Sequence, residues 1–522
     1  LLNVVAIAAL ILPSMVAPSL VWAKTVTASP ANYKAKLKTL VAGDVLELSA
    51  GTYPLLAVSD LKGTASDWIT IRGPASGAKA VIAANPCCNV IELTRVRYLA
   101  LENLTMDGKD NGGSFGVSAK GGSNNDVAHV RVENCRFINF GGHQYQVAIS
   151  TKTPTSGWII RGNTILGAGT GMYLGNSNGN EPFVGGLIEG NLVKDPLGYC
   201  IQVKWQKPRP ANHPALPAGR SETIIRHNVL IKDNNKTSTG ARPNLLVGGF
   251  PQSGAGKDDL YQIYGNLIVN NPFEYLLQAS GRVVIHDNIL VGAKGTALGL
   301  RNHDLPLSVA RVFNNTIYGG SKGISVSGSP TEARVVGNLI FAAAGISGAS
   351  TDKRDNLVAT VAQAASYVAS PSLVLGQMDF YPLAGACEGS PLDLSAFASD
   401  VDYDVDFNGQ SKGALKTRGA YAGSGQNPGW ALAAEPKPLD PPQPSPDAGV
   451  VQDGGAGADG GAGVDQGPSP GDGPTADGDV VVVDGSADSG ASAVGDDGGC
   501  RIAASDGSAE AVAFALVLLG IA

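Results

Sequence analysis

The chain is short of the signals that mark several common function classes. Its six cysteines are Cys87, Cys88, Cys135, Cys200, Cys387 and Cys500, and the adjacent Cys87-Cys88 is not a zinc spacing. An oxidising compartment permits bridges, but spacing does not fix their connectivity; Cys135 and Cys200 fall in strand patterns and read as buried thiols. No nucleic-acid-binding motif is present, so nucleic acid is excluded as the expected partner. From Pro436 to Gly499 the chain has almost no large apolar residue beyond the Val480–Val483 run, and no basic residue lies between Lys437 and Arg501. Such a stretch cannot bury a core, and residues 435–499 are expected to be a disordered linker. It also hides a charge. The whole chain carries −7, residues 438–522 hold one basic and fourteen acidic residues, and residues 1–437 are therefore +6. A mildly basic body suits a polyanion such as an acidic polysaccharide.

What the chain does have is a recurrent asparagine. Asn134, Asn163, Asn191, Asn228, Asn266, Asn288, Asn315 and Asn338 each follow a short alternating strand and precede another. Their spacings are 29, 28, 37, 38, 22, 27 and 23 residues, the period of a solenoid with insertions. Asn tolerates the left-handed backbone that a tight corner needs, and stacked amides hydrogen-bond from coil to coil. About ten residues after each Asn a third strand follows, such as Ile201-Gln-Val-Lys-Trp205 and Leu245-Leu-Val-Gly-Gly249. Three strands per coil predict a parallel β-helix, all-β, over residues 24–434, with alternate residues facing in and out. Pro30–Lys38 reads as a short capping helix with Ser29 at its N-cap.

The two ends differ from this body. Residues 1–23 are an apolar run ending Val21-Trp22-Ala23, which reads as a signal peptide with Pro13 and Pro18 weakening a membrane-anchor reading. Gly498-Gly499-Cys500-Arg501 followed by the apolar run Ala511–Ala522 resembles the myxobacterial C-terminal sorting signal, so residues 500–522 are expected to attach the protein to the cell envelope. The family's closing Arg cluster does not follow Ala522. The expectation is a secreted monomer, either released or anchored at the cell surface.

Leu40-Val-Ala-Gly43-Asp44-Val-Leu-Glu-Leu48-Ser-Ala-Gly51-Thr-Tyr53, Trp68-Ile-Thr-Ile-Arg72-Gly73 and Leu101-Glu-Asn103-Leu-Thr-Met-Asp-Gly108 carry a resemblance. So do Asp379-Phe-Tyr-Pro-Leu and Arg418-Gly-Ala-Tyr421 near the far end. Together they resemble right-handed parallel β-helix proteins of the pectate-lyase-like superfamily, most nearly the chondroitinase B and alginate lyase branch. The resemblance implies the fold; that fold also serves hydrolases, epimerases and binding proteins.

Aligned third strands place candidate chemistry. One outward row reads Ala148, Tyr173, Gln202, Leu246, Leu276, Gly299 and Ser325; the next reads Ser150, Gly175, Lys204, Gly248, Gln278, Arg301 and Ser327. Coils about 4.8 Å apart put Lys204 and Arg301 about 14 Å apart across a shallow strip with a cation at each end. The segments Gln206–Glu222, with Arg209, and Phe250–Gln262 would wall one side, and Lys232–Pro243 the other. Eliminating a uronate glycoside needs a base for the proton beside the carboxylate and positive charge on that carboxylate. The resemblance implies that Lys204 is the base, with Arg242 or Arg301 in support. Tyr173, Gln202, Gln278, His303 and Arg209 are candidate substrate-binding residues. The family's calcium carboxylates would fall at Tyr199, Cys200, Ile201 and Gln202, so no metal or cofactor is assigned. Asn176, Asn178, Asn180 and Glu181 offer oxygens to calcium but read as a polar loop. His303-Asp304 is an alternative acid/base pair, although adjacent loop residues usually point apart; His227 and His286 read as structural. Outward Asp clusters are missing, which excludes hydrolysis by paired carboxylates. The first expectation is a polysaccharide lyase or uronate epimerase; the second is a non-catalytic carbohydrate-binding or adhesive protein; the third is a structural spacer.

Overall fold

The computed structural model describes residues 23–84, 89–112, 114–121, 125–210 and 212–439. The segments expected to be a signal peptide, the linker beyond residue 439 and the sorting segment lie outside the described residues, as do Cys87, Cys88 and Cys500. A second unit, Val451–Ala522, falls wholly among these.

Three parallel sheets of fifteen, twelve and eleven strands stack in sequence order, so each coil gives one strand to each. The coil Glu222–Arg226, Val229–Ile231, Leu245–Val247 is typical, and the next is Leu260–Tyr264, Leu267–Asn271, Leu277–Ala279. Inward residues stack on their own kind. Ile225 lies on Ile263 and Ile285 in the first sheet, Leu230 on Ile268 and Leu290 in the second, and Leu245 on Leu277 and Leu298 in the third. All are fully buried, each adding about 1.5–3 kcal/mol of side-chain burial. The fold is the right-handed parallel β-helix that the period predicted.

The corner differs from expectation in one respect. The residue with left-handed backbone precedes the recurrent Asn: Gly162, Gly190, His227, Gly265, Asp287, Asn314, Gly337 and Asp355, with φ between 51° and 66°. The Asn itself turns its side chain inward and builds a ladder of Asn163, Asn191, Asn228, Asn266, Asn288, Asn315, Asn338 and Asn356. Each Nδ2 donates to the next Oδ1 at 2.9–3.0 Å, and each backbone N–H does so at 2.9–3.1 Å. Asn134 is one place out of register: it takes the left-handed position (φ 54°), and Cys135 stands where the ladder would continue. Cys135, Cys200 and Cys387 are buried thiols, Cys135 pushed up to about 12 by burial.

At the start of the stack the capping helix spans Tyr33–Leu37, with Tyr33 and Leu37 buried. Asn32 is its N-cap in place of Ser29, whose N–H donates to Asn32 Oδ1 at 2.9 Å.

Beyond the last coil the chain turns back along the outside of the solenoid. A short helix Val361–Ser366 and the hairpin Val368–Ser370/Asp379–Pro382 begin this strap, which remains packed to Leu439, past the expected boundary at residue 434. It covers the outer second sheet, with Phe380, Tyr381, Phe407 and Tyr421 against Val229, Leu267, Ile289 and Phe341. It also covers part of the outer first sheet, with Leu394, Phe397 and Leu415 against Val284, Phe313 and Val336. The corner residues are its anchor points. Lys412 Nζ donates to Asp287 Oδ2 at 2.7 Å, Arg418 Nη2 to Asp355 Oδ1 at 2.9 Å, and Lys437 Nζ lies 3.1 Å from His227 Nδ1. Where the corner is glycine, strap leucines sit close: Leu439 at Gly190 and Leu392 at Gly337.

Candidate functional site

The strap leaves the outer face of the third sheet without such a cover among the described residues. The strand pairing fixes its rows. The first is Ser150, Tyr173, Gln202, Leu246, Gln278, Gly299 and Ser325. One place beyond the paired strands, backbone N–H groups extend the ladder through Lys204, Gly248, Ser280, Arg301 and Ser327. The expected alignment was therefore two residues off in two coils. Gln278 lies in line with Gln202, and Ser280 stands between Lys204 and Arg301.

Lys204 is the unusual residue here. It is 7% exposed, yet its ammonium makes no hydrogen bond or ion pair among the described residues. Its contact is with the Tyr173 ring, 5.8 Å from Nζ to the centroid. The residue is buried mainly through its stem, and its charge is not committed to a partner within the fold. Other polar side chains on the same face are also uncommitted within the fold. Gln202 and Gln278 are buried with amides that bond nothing among the described residues, and Ser150 Oγ is buried without a partner.

The strip between the two cations is not the open floor that the sequence suggested. A side chain at Gly248 would meet the backbone N of Trp205 at 2.3 Å, so the chain leaving Lys204 crosses over it. Trp205 packs on Gly179 and donates Nε1–H to Ser177 O at 3.0 Å. Leu305 lies over Gly249, and Ser280 Oγ donates to Leu305 O at 2.8 Å. The turn carrying His303 and Asp304 is thus folded back across two coils toward Lys204. Contrary to the expectation for neighbours on a loop, His303 Nδ1 and Asp304 Oδ2 are 2.7 Å apart. The His303 bond first, and the Lys204 charge to a lesser extent, hold the Asp304 carboxyl below the usual carboxylate range.

Arg301 stands at the far end of the strip, its Nη1 3.4 Å from the Tyr275 hydroxyl. The Tyr275 ring lies flat against Gly299, where a side chain would meet it at 2.5 Å. This repeats the Tyr173–Lys204 arrangement further along the same face, and Tyr275 was not singled out from the sequence.

Two expected site residues lie elsewhere. Arg242 precedes the third-sheet strand Leu245–Val247, whereas Lys204 follows its own strand, so the two occupy opposite edges of the sheet. Arg242 Nη1 donates to the neighbouring Ala241 O at 2.8 Å, and its carbonyl accepts from Lys232 and Asn271. Arg209 is fully buried. It forms an ion pair with Asp259, and it donates to Pro217 O at 2.9 Å, Gly219 O at 2.8 Å and Gln206 Oε1 at 3.3 Å. Its five N–H groups tie the two long insertions together and leave none for a ligand. The Asn176–Glu181 loop spends its oxygens on itself: Asn176 Oδ1 and Asn178 Oδ1 accept the N–H of Ser177 and Asn180 at 2.9 Å, and Glu181 Oε2 accepts Asn176 Nδ2 at 2.9 Å.

No family model and no curated protein matches the chain. Solved structures do. The chain is similar to a PL6 family alginate lyase, AlyGC, at 16% identity and a TM-score of 0.42. That match covers 64% of this chain and 51% of the other, so the chain spans about half its length. It is also similar to a PL6 family polysaccharide lyase from Pseudopedobacter saltans at 14% identity and a TM-score of 0.41, covering 65% of this chain and 93% of that one. A GH136 lacto-N-biosidase from Eubacterium ramulus follows at 12% identity and a TM-score of 0.37, with 63% and 64% covered. Likeness at this level concerns the fold alone.

Proposed function

We propose that the chain acts on an acidic polysaccharide at the outer face of the third sheet, by lyase-type elimination with Lys204 as the base. The observation that carries this reading is Lys204, a buried residue whose ammonium faces the Tyr173 ring and makes no hydrogen bond or ion pair among the described residues. A uronate would bring oxygens to the Lys204 nitrogen and hydroxyls to the Gln202 and Gln278 amides. In this reading Lys204 takes the proton beside the carboxylate. The polysaccharide lyases named among the similar structures agree with this class of substrate without identifying it.

A second reading is a binding or adhesive protein on the same face. It is favoured by the displacement of Arg242 to the opposite edge. Lys204 would have to neutralise the carboxylate and accept the proton alone, since Arg301 is three coils away. Export, with attachment through the C-terminal segment, belongs to either reading and is tested by fractionating producing cells.

The deciding experiment incubates the protein with alginate, pectate, chondroitin and dermatan sulfates, heparin and hyaluronan, and follows ultraviolet absorbance from unsaturated uronates. A signal abolished by Lys204→Ala supports the lyase. Retention of a polymer on an affinity gel with no absorbance change supports the binding protein. Neither retention nor absorbance would overturn both.

A further inference from the structure

We propose that His303 is the general acid of this site and Asp304 its positioning residue; the inference rests on the lyase reading of Lys204. Elimination has two proton transfers, and Lys204 provides for one. The other must reach the departing glycosidic oxygen, a poor leaving group as an alkoxide. His303 is placed to deliver it. Its turn is pinned on three sides. His303 and Leu305 exchange backbone hydrogen bonds, Asn302 Oδ1 accepts the Leu307 N–H at 2.9 Å, and Leu305 O accepts from Ser280. Asp304 sits at the tip with φ 57°, a left-handed conformation that Asp tolerates, and this turns its carboxylate back onto His303 Nδ1.

That bond decides which nitrogen works. With Nδ1–H donated to Asp304, Nε2 is the atom left for substrate, and it makes no hydrogen bond among the described residues. The Asp304 carboxylate also fixes the orientation of the ring, so Nε2–H is the group presented to the departing oxygen. The charged group that this turn meets across the strip is Lys204, whose field Asp304 registers. The step balances. Lys204 takes the proton from C5, the C–H electron pair becomes the C4–C5 double bond, the C4–O4 bond breaks with its pair on oxygen, and Nε2–H protonates that oxygen. Lys204 ends protonated and His303 neutral, and two proton exchanges with water reset both.

The test uses two substrates: the polymer the wild type cleaves, and a uronate carrying fluoride at C4, which departs without a proton. His303→Gln should lower kcat on polymer about 100-fold or more with KM nearly unchanged, while fluoride release stays within about threefold of wild type. Lys204→Ala should abolish both. Asp304→Asn should lower kcat on polymer with KM nearly unchanged and leave fluoride release near wild type, because only proton delivery loses its positioning; a purely structural role would lower both substrates alike. Equal loss on both substrates in His303→Gln, or loss on neither, overturns the proposal and leaves the lyase standing. A wild type that eliminates from neither substrate overturns the lyase reading and this one with it.

Discussion

The strapped side of the solenoid and the bare third-sheet face both bury charge, and they treat it in opposite ways. Under the strap, Lys412 is 6% exposed and meets Asp287, Asn314 and the Tyr403 carbonyl. Arg226 meets Glu189 and Tyr264, and Arg311 meets Glu332 and Asp400. On the open face Lys204 is as deeply buried and meets a tyrosine ring. A paired buried charge holds two segments in one geometry; an unpaired one is a demand that a ligand satisfies.

The comparison can be broken at either side. The largest effect is expected at Lys204. Lys204→Met should cut elimination about 10³-fold, yet its melting temperature should stay near that of the wild type, because the ammonium gives up no hydrogen bond or ion pair among the described residues. A drop in melting temperature equal to that of a strap variant would erase the distinction. Lys412→Ala is the mirror experiment. It strands Asp287 without its cation and should cost about 3–5 kcal/mol in chemical denaturation, with turnover per folded molecule unchanged. Asn266→Ala breaks the ladder shared by both sides. It removes the acceptor of the Asn228 N–H and Nδ2 groups, at about 2–4 kcal/mol.

Acid should separate the two sides as well. Burial first, and the Lys437 charge next, hold His227 well below the usual histidine range. The unfolded chain therefore binds a proton near pH 6.5 that the folded chain refuses, and stability falls as pH drops below that value. His227→Asn, which keeps a residue tolerant of the left-handed corner, should lose less stability than the wild type between pH 7 and 5 in parallel melts. The smallest effect is expected at Arg242. Arg242→Ala should change turnover by less than about twofold, since nothing places it on the Lys204 side of the sheet. A large loss would restore it to the site.

The fold was legible because its cause is local and repeated. An Asn every coil and alternating Val, Ile and Leu are written once per turn, so register errors in one coil do not hide the pattern. The expected rows slipped by two at Ala148/Ser150 and Leu276/Gln278, where the approach to the strand changes length. The strap was not legible as a strap. Its residues follow no period, and its partners on the solenoid lie far off in sequence, 63 residues for Arg418 and Asp355 and 125 for Lys412 and Asp287. The site was half legible. The places of Lys204, Tyr173 and Gln202 on one face follow from strand alternation, but the crossing of the chain at Gly248 and the turn over Gly249 do not. For the same reason Arg209 looked like a ligand-binding cation from its place in a long loop, when Asp259 in the next insertion already claims it.

A solenoid whose coils all carry the same ladder has no internal reason to stop at any particular number of them. Each added turn brings its own asparagine and its own inward leucines, and duplication or loss of one leaves every rung satisfied. The strap removes that freedom. Its grips on the stack reach from the corner of Asp355 to that of Gly190, with those of Asp287 and His227 at coils between. A coil gained or lost inside that span would put every grip one rung out of place. The strap is in that sense a ruler, and the distance from Lys204 to Arg301 along the open face is one of the lengths it keeps.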